Sequence, residues 1–311
     1  MSGATAAPGG PRAAGGAVPP EVALGYARLA PHGGGAAVLG ACALVWVEGP
    51  DAERFLQGLL TQDVAGVPVG GACYALLLDA KGRIQLDARV ARDGEDSFTL
   101  VARPESGAVL AETLERYHVS EDLDVLGPEP SGLLTVAGVP AAPSAGPAEL
   151  IVPGLVPGTW DLVVADPEEA RAALGLPEAP PAALEVLRIE AGVPLVGVDT
   201  GPATLVQEAG LEGAAVSFEK GCYLGQETVA RVAYRGHVNR RLRGLVLGSP
   251  ATPGAAVRAE GREVGRVTSA AVSPARGPIA LALLRTSVGP GDRVAVDGVP
   301  EPAPVVALPF S

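Results

Sequence analysis

Cys222 is the residue of this chain best placed to do chemistry. It lies in the run Lys220-Gly221-Cys222-Tyr223-Leu224-Gly225-Gln226-Glu227, and Gln226 to Tyr234 reads as a helix ended by Gly236. The thiol therefore stands just outside a helix N-terminus, with Lys220 two residues away. Unpaired N–H groups and a nearby cation both stabilise a thiolate, so its pKa is expected below the ordinary ~8.5. Cys42 and Cys73 each sit inside an apolar run and read as small buried hydrophobes. A Cys–His nucleophile pair would need His32, His118 or His237. Only His237 is near in sequence, and a helix of about ten residues separates it from the thiol by ~15 Å. Three dispersed cysteines without a C-x-x-C pair do not make a zinc or iron–sulfur cage, so no metal site of the protein's own is expected.

The second chemical signal is charge. The chain carries a formal charge of −12, yet Lys220, Arg231, Arg235, Arg240, Arg241 and Arg243 face only Glu227 between Lys220 and Arg243. An island of positive charge in an acidic protein points to a local anionic ligand. The competing reading is a solvated helix with cations near its C-terminal end. The overall acidity argues against a general nucleic-acid binder.

The elements that must hold these residues follow from pattern. Residues 1–20 are Ala, Gly and Pro with little else and read as a disordered tail. Ala36 to Val47 is a strand pattern; Asp51 is placed to cap the helix that follows, with Phe55, Leu56, Leu59 and Leu60 on one face. Cys73 to Leu78, Arg83 to Val90 and Phe98 to Val101 form an antiparallel meander around the turns Ala80-Lys81-Gly82 and Asp93-Gly94. A helix from about Glu105 to Tyr117 puts Val109, Leu110, Thr113, Leu114 and Tyr117 inside. Gly127 to Pro147 reads as a flexible connection, followed by a strand from Trp160 to Ala165 and a helix capped by Asp166. The helix Pro181 to Ala191 turns Leu184, Leu187 and Ala191 to one side. Strands followed by helices, twice over, describe two α+β lobes rather than a doubly wound sheet. There is no G-x-G-x-x-G or P-loop pattern. From Arg241 onward only short strands remain, Leu245 to Leu247, Ala256 to Arg258, Val264 to Val272, Ile279 to Leu284 and Arg293 to Val296, which describes a small antiparallel barrel. The odd cysteine count and the lack of a signal-peptide pattern predict a reducing cytoplasm, and no apolar run reaches the ~18 residues that span a bilayer.

The run Lys220 to Glu227, continued by Thr228-Val229-Ala230-Arg231 and Arg235-Gly236, resembles the K-G-C-[YF]-x-G-Q-E-x-V-A-R signature of the YgfZ family. Further matches are Phe55-Leu56-Gln57-Gly58 with Thr61 and Asp63, Asp79-Ala80-Lys81-Gly82-Arg83, Arg188-Ile189-Glu190-Ala191-Gly192-Val193-Pro194, and Val264-Gly265 with Thr268-Ser269. That family is similar in fold to the folate-dependent aminomethyltransferase of the glycine cleavage system. The resemblance implies an α+β fold of two intertwined, ferredoxin-like lobes (21–239) and a C-terminal antiparallel β-barrel (240–311), arranged as a three-domain ring around a folate cavity. It implies tetrahydrofolate or a one-carbon derivative as cofactor, and a role as an accessory protein in assembly or maintenance of iron–sulfur enzymes, including those that modify tRNA. Partners would be iron–sulfur proteins or their assembly machinery, with no direct nucleic-acid contact. Cys222 is then the working group. Glu190 matches the glutamate that holds the pterin, since a carboxylate accepts two parallel N–H bonds from a 2-aminopyrimidinone edge. Lys220, Tyr223, Gln226, Arg231 and Arg235 complete the expected folate site, with Lys220, Arg231 and Arg235 the best receivers of the glutamate tail. The chain departs from the aminomethyltransferases at Gly82-Arg83-Ile84-Gln85-Leu86-Asp87, where one aspartate stands in place of two adjacent ones, and at Val206, where the family has Pro. Turnover as an aminomethyl or methyl transferase is the alternative, and Asp87 would be its acid–base group.

Overall fold

The apolar run after the first helix becomes β1 (Ala36–Glu48), a strand long enough to serve two neighbours. Its second half pairs with β4 (Ser97–Ala102) and nearly its whole length with β5 (Asp124–Ala137), both antiparallel. The meander β2 (Ala72–Leu78), β3 (Ile84–Arg92) and β4 extends the sheet on one side, and β7 (Trp160–Val164) and β6 (Leu150–Pro153) extend it on the other. The two lobes are thus parts of one seven-stranded sheet of order β2-β3-β4-β1-β5-β7-β6, which curls until its edge strands β2 and β6 approach each other. This is a computed structural model, which describes residues 16–143 and 148–311.

Strand alternation divides the side chains between two faces. The outer face is apolar. Val45, Val90, Phe98 and Leu100 pack under α2 (Ala52–Leu59) and α3 (Gly107–Tyr117), and Leu134, Leu162 and Val164 pack with Ala170 of α4 (Pro167–Ala173). The inner face carries polar groups among apolar ones: Asp87 and Arg89 on β3, Asp161 on β7 and Thr135 on β5 are all buried. Arg89 is paired in register with Tyr74 and Val101, but its ion pair is with Asp161, four strands away in the sheet order. Only the curl brings those two together.

α1 (Pro20–Leu29) packs on α5 (Pro181–Glu190), and two four-residue turns, α6 (Val206–Ala209) and α7 (Glu212–Ala215), lead to α8 (Gln226–Arg235). The remaining strands, β8 (Arg240–Val246), β9 (Ala256–Ala259), β10 (Arg262–Ser273), β11 (Gly277–Arg285), β12 (Arg293–Val296) and β13 (Ala303–Val306), close into a barrel of order β10-β11-β8-β13-β12-β9.

Five local expectations need correction or limits. Residues 127–137 are not a flexible connection: they lie within the fourteen-residue β5, because β1 supplies a partner along the strand on either side of an irregularity at Gly127-Pro128. Residues 144–147 of the same segment, and residues 1–15 of the expected tail, lie outside the described residues. Asp51 makes no cap bond to α2; its carboxylate accepts from the Asp122 N–H at 2.9 Å and pairs with Arg54, fastening the loop before β5 instead. The inner face of α3 is Leu110, Ala111 and Leu114, whereas Val109 and Tyr117 are exposed, since the helix meets the sheet along a narrower stripe than periodicity allows. The barrel's sixth strand, β13, was not evident because its run Ala303-Pro304-Val305-Val306 is short and broken by proline.

Candidate functional site

Three of the motifs singled out above converge on the loop that carries Cys222. Lys220 turns inward and its ammonium donates to the carbonyls of Gln57, Leu60 and Gln62 at 2.8, 2.7 and 2.8 Å. These are carbonyls at and just beyond the end of α2, where a helix leaves acceptors unpaired and favours a cation. The Tyr223 ring lies 5.3 Å beneath the same ammonium and is buried, which pushes the phenol up to about 12. Leu224 N–H donates to the Gly58 carbonyl at 3.1 Å. On the other side Gly225 meets the β2–β3 turn: a Cβ on Gly225 would lie 2.6 Å from the Asp79 carbonyl, and one on Gly82 would lie 2.8 Å from Thr228 Cβ. Both glycines have positive φ, 81° and 74°, so the close approach and the backbone conformation each require glycine. The segment between these anchors leaves Cys222 exposed.

The other two thiols differ in environment. Burial pushes both Cys42 and Cys73 up to about 11. Burial also pushes Lys220 down to about 8, opposed by the nearby Asp63 carboxylate. Its donors are committed to backbone carbonyls, so Lys220 is an anchor of the loop before it is anything else. Gln226 opens α8 with its side chain half-buried.

Two adjoining cavities lie between the curled sheet, the segment after α5 and the barrel. The inner one, about 290 Å³, is lined by Cys73, Tyr74, Arg89, Leu155, Val193 and Leu211 among others. The second, about 360 Å³, is lined by Glu190, Leu187, Thr159, Arg276 and Phe310, and shares Pro157 and Ala191 with the first. Glu190 is not a free carboxylate. Tyr26 of α1 donates to Oε2 at 3.0 Å, Ser273 of β10 donates to Oε1, and Arg276 stands 4.0 Å from Oε1. It therefore joins the first helix and the barrel to α5, and of its two oxygens Oε2 is the less heavily used. Asp87, the single aspartate of the hairpin, is 7% exposed and accepts the Tyr74 hydroxyl at 3.0 Å; burial raises its pKa, against the pull of Arg103. Tyr74 lines the inner cavity, and Asp87 does not.

Lys220 and Arg243 have surroundings separate from each other and from those of Arg231 and Arg240. Arg231 is exposed and lines a groove of about 570 Å³ with Lys81, Arg83 and Arg240. Arg240 pairs with Glu208 at 3.0 Å, and Arg243 is half-buried, which lowers its pKa. Arg235 closes α8. Sequence reasoning missed Tyr74, Arg89, Asp161 and Tyr26. The available signal was Asp87 and Arg89 two residues apart on one face of a strand whose other face is Leu86, Ala88 and Val90. Among the described residues no group of three His, Cys, Asp or Glu side chains is placed to hold a metal ion, and no helix is long and apolar enough to cross a membrane.

The GCVT N-terminal domain family matches residues 40–141, and the glycine cleavage T-protein C-terminal barrel domain matches residues 240–311. The chain is 34% identical to an aminomethyltransferase of Streptomyces avermitilis, over 86% of this chain and 83% of the relative. It is 30% identical to the tRNA-modifying protein YgfZ of Klebsiella pneumoniae, over 64% of this chain and 68% of the relative. The solved structure of glycine cleavage system aminomethyltransferase T from Bartonella henselae superposes with a TM-score of 0.75 at 24% identity, covering 93% of this chain and 89% of that one, and so shares the fold. With both family domains matched and an aminomethyltransferase 34% identical over 86% of the chain, the chain belongs to the glycine cleavage T-protein family, with relatives named YgfZ and aminomethyltransferase alike.

Proposed function

We propose that this protein binds a tetrahydrofolate in the two adjoining cavities and acts through Cys222 as an accessory protein in assembly or maintenance of iron–sulfur enzymes, including enzymes that modify tRNA, in the cytoplasm. The observation that carries the reading is the exposed thiol on a loop pinned by three contacts to two other motifs: a half-buried lysine cation on the end of α2, the Leu224–Gly58 hydrogen bond and a glycine-to-glycine contact with the β2–β3 turn. So much structure spent on presenting one thiol suits a group that must meet a partner. A soft thiolate can ligate iron or exchange with another thiol, and further ligands would come from the partner.

The cavities suit a reduced folate. Glu190, in the second cavity, offers a carboxylate oxygen to the N–H groups of a pterin, and the inner cavity is largely apolar. Bound there, the folate would supply a one-carbon carrier. Arg276 in the lining of the second cavity, or Arg231 with Lys81 and Arg83 in a separate groove, offers cations to an anionic tail.

The match to an aminomethyltransferase over 86% of the chain favours a second reading, transfer of an aminomethyl or methyl group with Asp87 as acid–base group. Against it, the hairpin offers one aspartate and not two adjacent ones, and Asp87 is buried, hydrogen-bonded to Tyr74 and absent from the lining of the inner cavity. Two variants separate the readings. Cys222→Ser keeps fold and folate affinity but fails to restore iron–sulfur enzyme activity in cells lacking the native protein, because a serine hydroxyl stays protonated near neutral pH. Asp87→Asn restores it. Full rescue by Cys222→Ser together with none by Asp87→Asn would favour the transferase.

A further inference from the structure

Two open grooves that share no lining residue with the cavities described above run into one another. The first, of about 990 Å³, lies between the strands of the barrel and the segment joining α5 to α6, and is lined by Val198, Thr200, Leu283, Arg285 and Ser287 among others. The second is the groove of about 570 Å³ that holds Lys81, Arg83 and Arg231. Asn239 and Arg240 line both, so the two make one groove along the β2–β3 turn, α8 and the facing ends of β8 and β11.

Its charges are unequal. Three lining carboxylates are already balanced, Asp199 by Arg188, Glu208 by Arg240 and Glu263 by Arg266. Among the described residues Lys81, Arg83, Arg231 and Arg285 have no carboxylate partner, and Glu227 is the only lining carboxylate left to face them. Arg285 is moreover in register with Arg240 on the neighbouring strand, and like charges directly opposite each other cost stability. Such a concentration of uncompensated cations, in a chain of net charge −12, fits an anionic ligand that spans the groove.

The rest of the lining restricts the form of that anion. No aromatic side chain lines either part, so bases would find no platform to stack on, and the interposed carboxylates oppose a strand charged at every phosphate. Arginine forks match carboxylates, while the exposed Val198, with Leu205 and Leu283, offers apolar contact to side chains lying between them. We propose that the groove is a docking site for an extended acidic segment of a protein partner, its carboxylates received by Lys81, Arg83, Arg231 and Arg285. The inference does not rest on the folate reading above.

Fluorescence anisotropy of a labelled peptide of alternating glutamate and valine, titrated with the full chain, tests this against the same peptide with glutamine for glutamate. The acidic peptide should bind at least ~tenfold tighter, the gain of one charge-assisted pair, and its affinity should fall as salt is raised. Arg231→Gln with Arg285→Gln removes two exposed cations and should abolish that advantage while leaving the urea midpoint unchanged. Should the double variant fail to fold, Lys81→Gln at the exposed turn takes its place and should reduce the advantage. Arg116→Gln, outside the groove, should bind as the wild type does. Equal affinity for the two peptides overturns the proposal, as does an advantage that persists in the folded groove variant or is lost equally in Arg116→Gln. Tighter binding of a labelled oligouridylate would also overturn it, making the groove a nucleic-acid site. So would displacement of the peptide by 5-formyltetrahydrofolate, which would give these cations to a folate tail.

Discussion

Among the three thiols, exposure and environment separate one from two. Cys222 is exposed, while Cys42 and Cys73 are held protonated by burial up to about 11. Thiolate is the form that alkylates, so near neutral pH iodoacetamide should modify Cys222 alone, and peptide mapping after a limited exposure would read this directly. Labelling of Cys73 first would mean that the inner cavity is open to solvent. Glu190 shows how position changes the meaning of a residue. In the sequence it is a helix-ending carboxylate that a pterin could use; in the structure Tyr26, Ser273 and Arg276 already surround it.

At the scale of elements, the Cys222 loop depends on anchors that can be removed one at a time. Gly225→Ala places a methyl 2.6 Å from the Asp79 carbonyl on a backbone with φ 81°, and both faults act together. Such a change should cost ~1–3 kcal/mol, visible as a lowered urea midpoint, and should free the loop from the β2–β3 turn. An unchanged midpoint would show that the turn shifts aside without cost. Lys220 gives a pH signature. With the folded-state pKa down to about 8 against the ordinary 10.5, the unfolded chain keeps a proton between those values that the folded chain has given up. By linkage the contribution of Lys220 to stability rises with pH through that window. Unfolding free energies of wild type and Lys220→Met, compared from about pH 8 to about pH 10, should diverge in favour of the wild type. A constant difference would mean that the three carbonyls hold the ammonium at its ordinary value.

For the whole molecule, the barrel is fastened to the sheet region by a buried polar clasp. Arg188 of α5 donates to Asp199 at 2.8 Å, to the Val193 carbonyl at 2.6 Å and to Ser269 of β10 at 2.8 Å, while Asp199 also accepts from Ser269 at 2.7 Å and from Thr268. The Asp199 side chain is fully buried, so Arg188→Met leaves a carboxylate uncompensated and should cost ~3–5 kcal/mol in urea unfolding. A loss below ~1 kcal/mol would mean that water reaches Asp199 once the arginine is gone. This clasp also explains two of the motifs met in the sequence, since Arg188 opens one and Thr268-Ser269 close another.

The amino-acid order by itself determined most of the elements, the barrel and the loop around Cys222, because these rest on local signals: strand alternation, turn residues, and an eight-residue run of fixed order. It missed β5, since everything from Gly127 to the end of that strand read as a connection until β1 supplies its partner. The direction of Lys220 and the pairing of Arg240 with Glu208 also lay beyond it, since a side chain's partners depend on what happens to lie beside it. Above all, the inner cavity was decided by the tertiary structure. Arg89 and Asp161 stand 72 residues apart on strands that never pair, and only a sheet curled on itself makes them neighbours at the wall of that cavity.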